Sequence, residues 1–181
     1  MKYLISFLFL ALAFSMKSEA KVTLPSILGD NMVLQQQAEV KLWGKARPNA
    51  TVTVKTSWNG QTYKFSSDGK GGWSLTVSTP VAGGPYKIIF NDGELLTLQN
   101  VLIGEVWFCS GQSNMEMPMG CFDRQPVRGA NDIIAKAKPS TPIRMYTTDS
   151  KDGRWVRQFS KTPAEDCQGE WLENTPVNVS H

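Results

Sequence analysis

A switch in hydrophobic rhythm near residue 100 constrains this chain most. Before it, apolar and polar residues alternate in short runs separated by turn formers. After it comes Val101-Leu102-Ile103-Gly104-Glu105-Val106-Trp107-Phe108-Cys109, which is almost continuously apolar. A strand with one solvated face reads with period two, whereas a strand buried on both faces reads as an unbroken apolar run. The two rhythms predict two architectures in one chain, with a boundary near residue 100.

The first architecture is β. Val22-Thr23-Leu24-Pro25, Met32-Val33-Leu34, Val40-Lys41-Leu42-Trp43-Gly44 and Thr51-Val52-Thr53-Val54-Lys55 are its opening runs. Tyr63-Lys64-Phe65, Trp73-Ser74-Leu75-Thr76-Val77, Tyr86-Lys87-Ile88-Ile89-Phe90 and Leu95-Leu96-Thr97-Leu98 follow. Asn59-Gly60, Asp68-Gly69-Lys70-Gly71-Gly72 and Asn91-Asp92-Gly93 separate several of them, and such dipeptides tolerate the positive φ that hairpins need. About seven short strands at this spacing predict an antiparallel β-sandwich, immunoglobulin-like or jelly-roll, over residues 21–100. Trp43, Trp73 and Tyr86 stand among the core-phase residues. They fit either sandwich core or a platform on which sugars stack.

The second architecture, over 101–181, reads as the beginning of an α/β domain. The apolar run Val101–Cys109 predicts a buried strand, with Cys109 as a small core residue. Asn131 to Lys138 predicts a helix capped by Asn131, with Ile133, Ile134 and Ala137 on one face and Pro139 as its stop. Ile143-Arg144-Met145-Tyr146 predicts a second buried strand. Strand, turn, helix, strand is the opening of a βαβ unit. Residues 149–170 are polar and irregular, with Trp155 and Phe159 as candidate anchors, and the expectation is that Trp171-Leu172 packs on the domain.

The N-terminus carries a different signal. Lys2 precedes the apolar stretch Tyr3–Phe14, and Ser18 and Ala20 supply small residues before a cleavage point after Ala20. The stretch is too short to span a bilayer, which takes roughly 20 residues. The expectation is a signal peptide at 1–20 and a secreted or periplasmic product, not attached to the membrane once cleaved. Cleavage removes Lys2, Lys17 and Glu19, so the net charge falls from +3 to +2. A nearly neutral chain without a basic run carries no nucleic-acid footprint. Cys109, Cys121 and Cys167 form no paired metal-ligand spacing and only one histidine is present, so the expectation is no metal site. A Cys121–Cys167 bridge is one pairing open to an exported chain.

The chemistry concentrates where the apolar run ends, at Ser110-Gly111-Gln112-Ser113-Asn114. A serine hydroxyl is a weak nucleophile that needs a general base, an orienting acid and oxyanion donors. A turn at the end of a strand lifts Oγ clear of the sheet and aims N–H groups at the developing oxyanion. Ser113 fits that position. Gly111 allows close backbone approach, and Gln112 and Asn114 contact substrate or hold the turn. By residue type alone, Ser113 fits equally well as a helix cap. Glu116 lies one turn along and reads either as a catalytic acid or as a carboxylate favoured at a helix start. Arg124, Arg128 and Arg144 read either as contacts to a sugar carboxylate or as ordinary surface and structural arginines.

The longer string Gly104-Glu105-Val106-Trp107-Phe108-Cys109-Ser110-Gly111-Gln112-Ser113-Asn114-Met115 resembles the nucleophile block of the sialate O-acetylesterases, in the SGNH hydrolase superfamily. Leu28-Gly29-Asp30-Asn31-Met32-Val33-Leu34-Gln35, Val40-Lys41-Leu42-Trp43-Gly44 and Gly71-Gly72-Trp73 resemble the same family's N-terminal β module. The resemblance implies a flavodoxin-like hydrolase domain and a serine esterase that removes O-acetyl groups from sialic acid or related acetylated sugars. Ser113 is then the nucleophile, its own N–H is one oxyanion donor, and acetyl passes to Ser113 and on to water without a cofactor. The family's base sits in an Asp-x-x-His motif. Here Asn178-Val179-Ser180-His181 copies its spacing but offers no carboxylate. The expectation is therefore an N-terminal fragment of such an esterase, inactive by itself. The alternatives are a carbohydrate-binding sandwich with a vestigial hydrolase tail, or a β module that serves only as scaffold.

Overall fold

The computed structural model describes residues 22–122, 125–148, 150–151, 154–155 and 166–180. The expected signal peptide at 1–20, Arg124, Phe159 and His181 lie outside the described residues, as do the side chains of Asn114, Glu116 and Trp155. No helix among the described residues is long and apolar enough to cross a membrane.

The chain is mostly β-sheet with few helices. Seven strands occupy its first part: β1 (Val33–Gln35), β2 (Glu39–Lys45), β3 (Thr51–Thr56), β4 (Thr62–Ser66), β5 (Gly72–Ser78), β6 (Gly83–Asn91) and β7 (Leu95–Gly104). Five form one sheet in the order β1-β7-β6-β3-β4, and β2 pairs with β5 in a second. Period-two alternation does what the sequence requires of it. Val52 and Val54 of β3 are fully buried while Thr51 and Lys55 face water. Both sheets feed one buried cluster, with Val52, Val54, Ile88, Phe90, Val101 and Ile103 from the larger and Leu42, Trp73 and Val77 from the smaller. Each large side chain buried this way contributes about 1.5–3 kcal/mol through removal of apolar surface from water.

Three features depart from expectation. First, β1 runs parallel to β7, with Val33 opposite Leu102 and Gln35 opposite Gly104, so the larger sheet is not wholly antiparallel. Second, the Asp68–Gly72 segment is not a hairpin, because β4 and β5 belong to different sheets. It is a crossover, and Gly71 lies at φ +84 where an added Cβ would fall 2.2 Å from the Ala46 carbonyl oxygen. A side chain there is excluded on both counts. Third, the apolar run does not form a new strand reaching Cys109. Its first four residues complete β7, pairing with β1 and β6, and regular structure ends at Gly104. Trp107 and Phe108 are 83% and 93% exposed, and Cys109 is exposed too. β7 has neighbours on both sides only as far as Ile103, Gly104 faces Gln35 of β1, and no described strand pairs with Glu105–Cys109.

The remaining elements are short: α1 (Ser113–Glu116), α2 (Ala130–Lys136), β8 (Arg144–Tyr146), β9 (Ser150–Lys151), β10 (Arg154–Trp155), β11 (Trp171–Glu173) and α3 (Pro176–Ser180). The helix expected from Asn131 starts one residue earlier, after Gly129 in the left-handed region, so Asn131 is inside it rather than capping it. The βαβ pairing is not formed among the described residues. β8 pairs antiparallel with β11, Tyr146 opposite Trp171 and Arg144 opposite Glu173. Cys109, Cys121 and Cys167 are all free thiols, so the Cys121–Cys167 bridge is not made.

Candidate active site

The segment that leaves β7 is tied down at its first residues. Gln36 Nε2 donates to Glu105 at 2.7 Å and Gln35 Nε2 donates to the other Glu105 oxygen at 3.2 Å. Gln35 Oε1 in turn accepts the Val106 N–H at 3.0 Å, and Gln36 Oε1 accepts the Ala82 N–H at 2.8 Å. The two glutamine amides thus clamp the exit of β7 to the β module. Hydrogen bonds from Gln36 and Gln35 hold the Glu105 carboxyl below its usual range.

After this clamp the chain crosses Trp107–Ser110 without regular structure and enters α1. Ser113 is its first residue and is exposed; Gln112 takes the cap position without a side-chain cap bond. The Met115 N–H donates to Gln112 O at 2.8 Å and closes the turn. A Cβ at Gly111 would lie 2.7 Å from Met115 Cγ, so a larger residue there would displace the exposed Met115 side chain. Gln112, Ser113, Asn114 and Met115 therefore form one hydrogen-bonded turn, entered through Gly111, and Ser113 is exposed on it. No side chain among the described residues hydrogen-bonds the Ser113 hydroxyl.

A second network joins the N-terminal loop to the segments after residue 140. Asp30 accepts the Gln99 N–H at 2.7 Å, and Asn31, at φ 64, accepts from Asn100 Nδ2 at 2.7 Å. Asn100 Nδ2 also donates to Glu173 at 2.9 Å, and Arg144 bonds Glu173 at 3.2 Å. The Arg144 side chain is only 4% exposed. It is a structural arginine of this network, not one presented to a sugar carboxylate; Arg128 is exposed. Trp171 Nε1 donates to the Ile27 carbonyl at 2.8 Å, and the Ser26 hydroxyl donates to Asp166 at 2.9 Å. Tyr146 donates to Cys167 O at 2.6 Å, and burial pushes its hydroxyl well above the usual tyrosine value.

Asn178 is also structural: its side chain donates to Glu173 O at 2.8 Å, and its N–H is capped by Thr175 Oγ1 at 3.2 Å. The Gly120 N–H bonds Ser180 O at 2.9 Å, which sets the end of α3 on the turn that follows Ser113. The glutamine clamp and the Asn31–Asn100 contact escaped sequence reasoning. Asp30 and Asn31 lie in the Leu28–Gln35 string, which gives no sign of their partners some seventy residues away.

The three aromatics separate in the same way. Trp73 is core, with ring centroids 5.3 Å from Phe65 and 5.7 Å from Phe90. Tyr86 is half-buried against Trp58 at 5.8 Å, and Trp43 stays on the surface.

An exposed serine on a tight turn, fastened to a β module, defines a class that comparison with known proteins makes specific. No family model matches the sequence. The fold superposes on a crystal structure of a carbohydrate acetylesterase from Xanthomonas citri with a TM-score of 0.74 and 30% identity, over 88% of this chain and 34% of that one. The sialate O-acetylesterase of Pongo abelii is 34% identical over 169 residues, 86% of this chain and 30% of that protein. The human sialate O-acetylesterase is 34% identical over 105 residues, 51% of this chain and 20% of that protein. The chain belongs to the sialate O-acetylesterase family and spans about a third or less of the length of these relatives.

Proposed function

We propose that this chain carries the β module and nucleophile segment of a secreted carbohydrate esterase, an SGNH hydrolase acting on O-acetylated sialic acid or a related acetylated sugar. The observation that carries the reading is the exposed Ser113 at the first position of α1, on a turn closed by the Met115 N–H bond to Gln112 O. In the proposed reaction Ser113 Oγ attacks the acetyl carbonyl carbon while a base takes its proton. The tetrahedral oxyanion is met by the Ser113 N–H, and the sugar alcohol leaves with the proton returned. Water then attacks the acetyl-serine in the same way and releases acetate.

This sequence has one histidine, His181, and the Asn178 side chain already bonds Glu173 O. We therefore assign the base and its carboxylate to protein outside this chain, and read the 181-residue chain as inactive by itself. A metal or organic cofactor has no step in this scheme. Residues 1–20 are read as a signal peptide, so mass spectrometry of the exported product should find Lys21 at its N-terminus.

Two proteins test the reading. The 181-residue chain should hydrolyse a chromogenic acetate no faster than its Ser113→Ala variant; robust Ser113-dependent turnover would overturn the assignment of an external base. Residues 22–180 should also replace the matching third of a full-length relative and support deacetylation. Ser113→Ala in that chimera should lower kcat by at least about 10³-fold. An active Ser113→Ala chimera would sink the esterase reading. A second reading, that the β module acts as scaffold, is favoured by the Gln35–Gln36–Glu105 clamp; Gln36→Ala in the chimera should then lower kcat with little effect on KM.

A further inference from the structure

We propose that the outer face of the β2–β5 sheet is a carbohydrate subsite that seats one pyranose ring of the glycan against Trp43, apart from the Ser113 turn. The proposal rests on the carbohydrate-esterase reading for its ligand class and on local geometry for its site. An open groove of about 760 Å³ is lined by Lys41, Trp43, Ser66, Asp68, Trp73 and Ser74. β2 sends Leu42 into the core, so Lys41 and Trp43 must face the other way. Trp43 is 37% exposed, and the residue opposite it on β5 is the small Ser74. No bulky cross-strand neighbour covers the indole. Trp73, on the inner face of β5, packs against Phe65 and Phe90 and so anchors the strand that carries Ser74.

The groove also holds a fixed acceptor. Asp68 Oδ1 accepts the Lys70 N–H at 2.7 Å and the Gly72 N–H at 2.8 Å, while Oδ2 has no hydrogen-bond partner among the described residues. The loop thus orients a carboxylate with one oxygen to spare, beside an exposed aromatic and the hydroxyls of Ser66 and Ser74. A pyranose matches that set: its axial C–H face is apolar, and its equatorial hydroxyls donate to carboxylate and accept from ammonium and hydroxyl groups. Lys41 supplies the ammonium. A flat aromatic with a few placed polar groups, in a shallow open groove, suits an extended polar chain better than a compact apolar ligand.

The test measures binding, not hydrolysis, on the full chain. The probes are N-acetylneuraminic acid and an acetylated neutral hexose oligosaccharide, followed by saturation-transfer NMR and calorimetry. At least one probe should bind at millimolar concentration. Trp43→Ala should weaken it about tenfold or more, and Asp68→Asn, which keeps the Oδ1 acceptor, about threefold. Phe108→Ala removes an exposed aromatic outside the groove and should leave binding unchanged. Unchanged near-ultraviolet circular dichroism certifies the fold of each variant. Absence of binding by both probes, wild-type affinity in folded Trp43→Ala, or a Trp43-dependent self-association that excludes sugar would each overturn the proposal. The two readings fail separately: an active chimera that binds no sugar through Trp43 loses the subsite alone, and Trp43-dependent binding with an inactive chimera loses the esterase alone.

Discussion

Phe90 and Phe108 are the same side chain on one continuous stretch of polypeptide, yet Phe90 is fully buried and Phe108 is 93% exposed. Phe90 sits on β6 with β3 and β7 paired on either side, and Trp73 of the second sheet closes over it. Phe108 follows the last paired residue of β7 and has no described strand beside it. The difference generalises. Almost the whole buried core lies between Val22 and Ile103, and Ala130 is the only buried apolar residue described beyond it. The strands of the first region bury their apolar faces because their partner strands all lie within that region, near or far in sequence. The second region presents apolar residues whose burial needs partners that the described chain does not bring to them.

The largest effect expected from this contrast is Phe90→Ala. It should cost about 3–5 kcal/mol in urea unfolding, whereas Phe108→Ala should stay within about 0.5 kcal/mol. Equal costs would break the comparison. Limited proteolysis sharpens it, since first cuts should fall after residue 115 and leave a resistant fragment containing β1–β7; uniform protection would contradict it. Next in size is the contact that crosses between the regions. Arg144→Ala strips a buried side chain from Glu173 and Asn100 and should cost about 2 kcal/mol. Because Glu173 is partly solvated, the loss should fall short of that for a fully buried pair. In the chimera the same change should lower stability without a selective rise in KM. A selective rise would return Arg144 to the role of sugar contact that its side-chain type first suggested.

How much of this was legible follows the same divide. The strands of residues 33–98 could be read from alternation because period two is a local property of the chain. The parallel partnership of β1 with β7 could not, because it is made by residues about seventy positions apart, Val33 with Leu102. The run Val101–Cys109 misled for a physical reason: an apolar sequence records a need for burial, not whether a neighbouring strand is there to meet it. Ser113 was legible as an exposed turn serine through Gly111 and the helix start. Its hold on the β module was not, since nothing in Gln35 or Gln36 announces Glu105 as partner. Trp43 and Trp73 were indistinguishable in sequence, and strand phase against the sheet pairing separated them.

The smallest effect tests the clamp itself, where β7 hands over to the segment that carries Ser113. Glu105 is fully exposed, and Gln36 and then Gln35 depress its titration below the ordinary glutamate value of 4.5. A carboxyl depressed in the folded state adds stability above its unfolded value, and that contribution fades as pH falls through the folded one. Between neutrality and about pH 5 the Gln35 and Gln36 side-chain amide resonances should therefore hold steady. Below about pH 4 they should move as Glu105 takes up a proton and the Val106 N–H bond to Gln35 loosens with them. Glu105→Gln removes the titrating group and should flatten the profile, with little change in global unfolding because the bonds are solvated. An identical acid profile in Glu105→Gln would mean that some other carboxylate governs this junction, and that the exit of β7 is not held by the clamp.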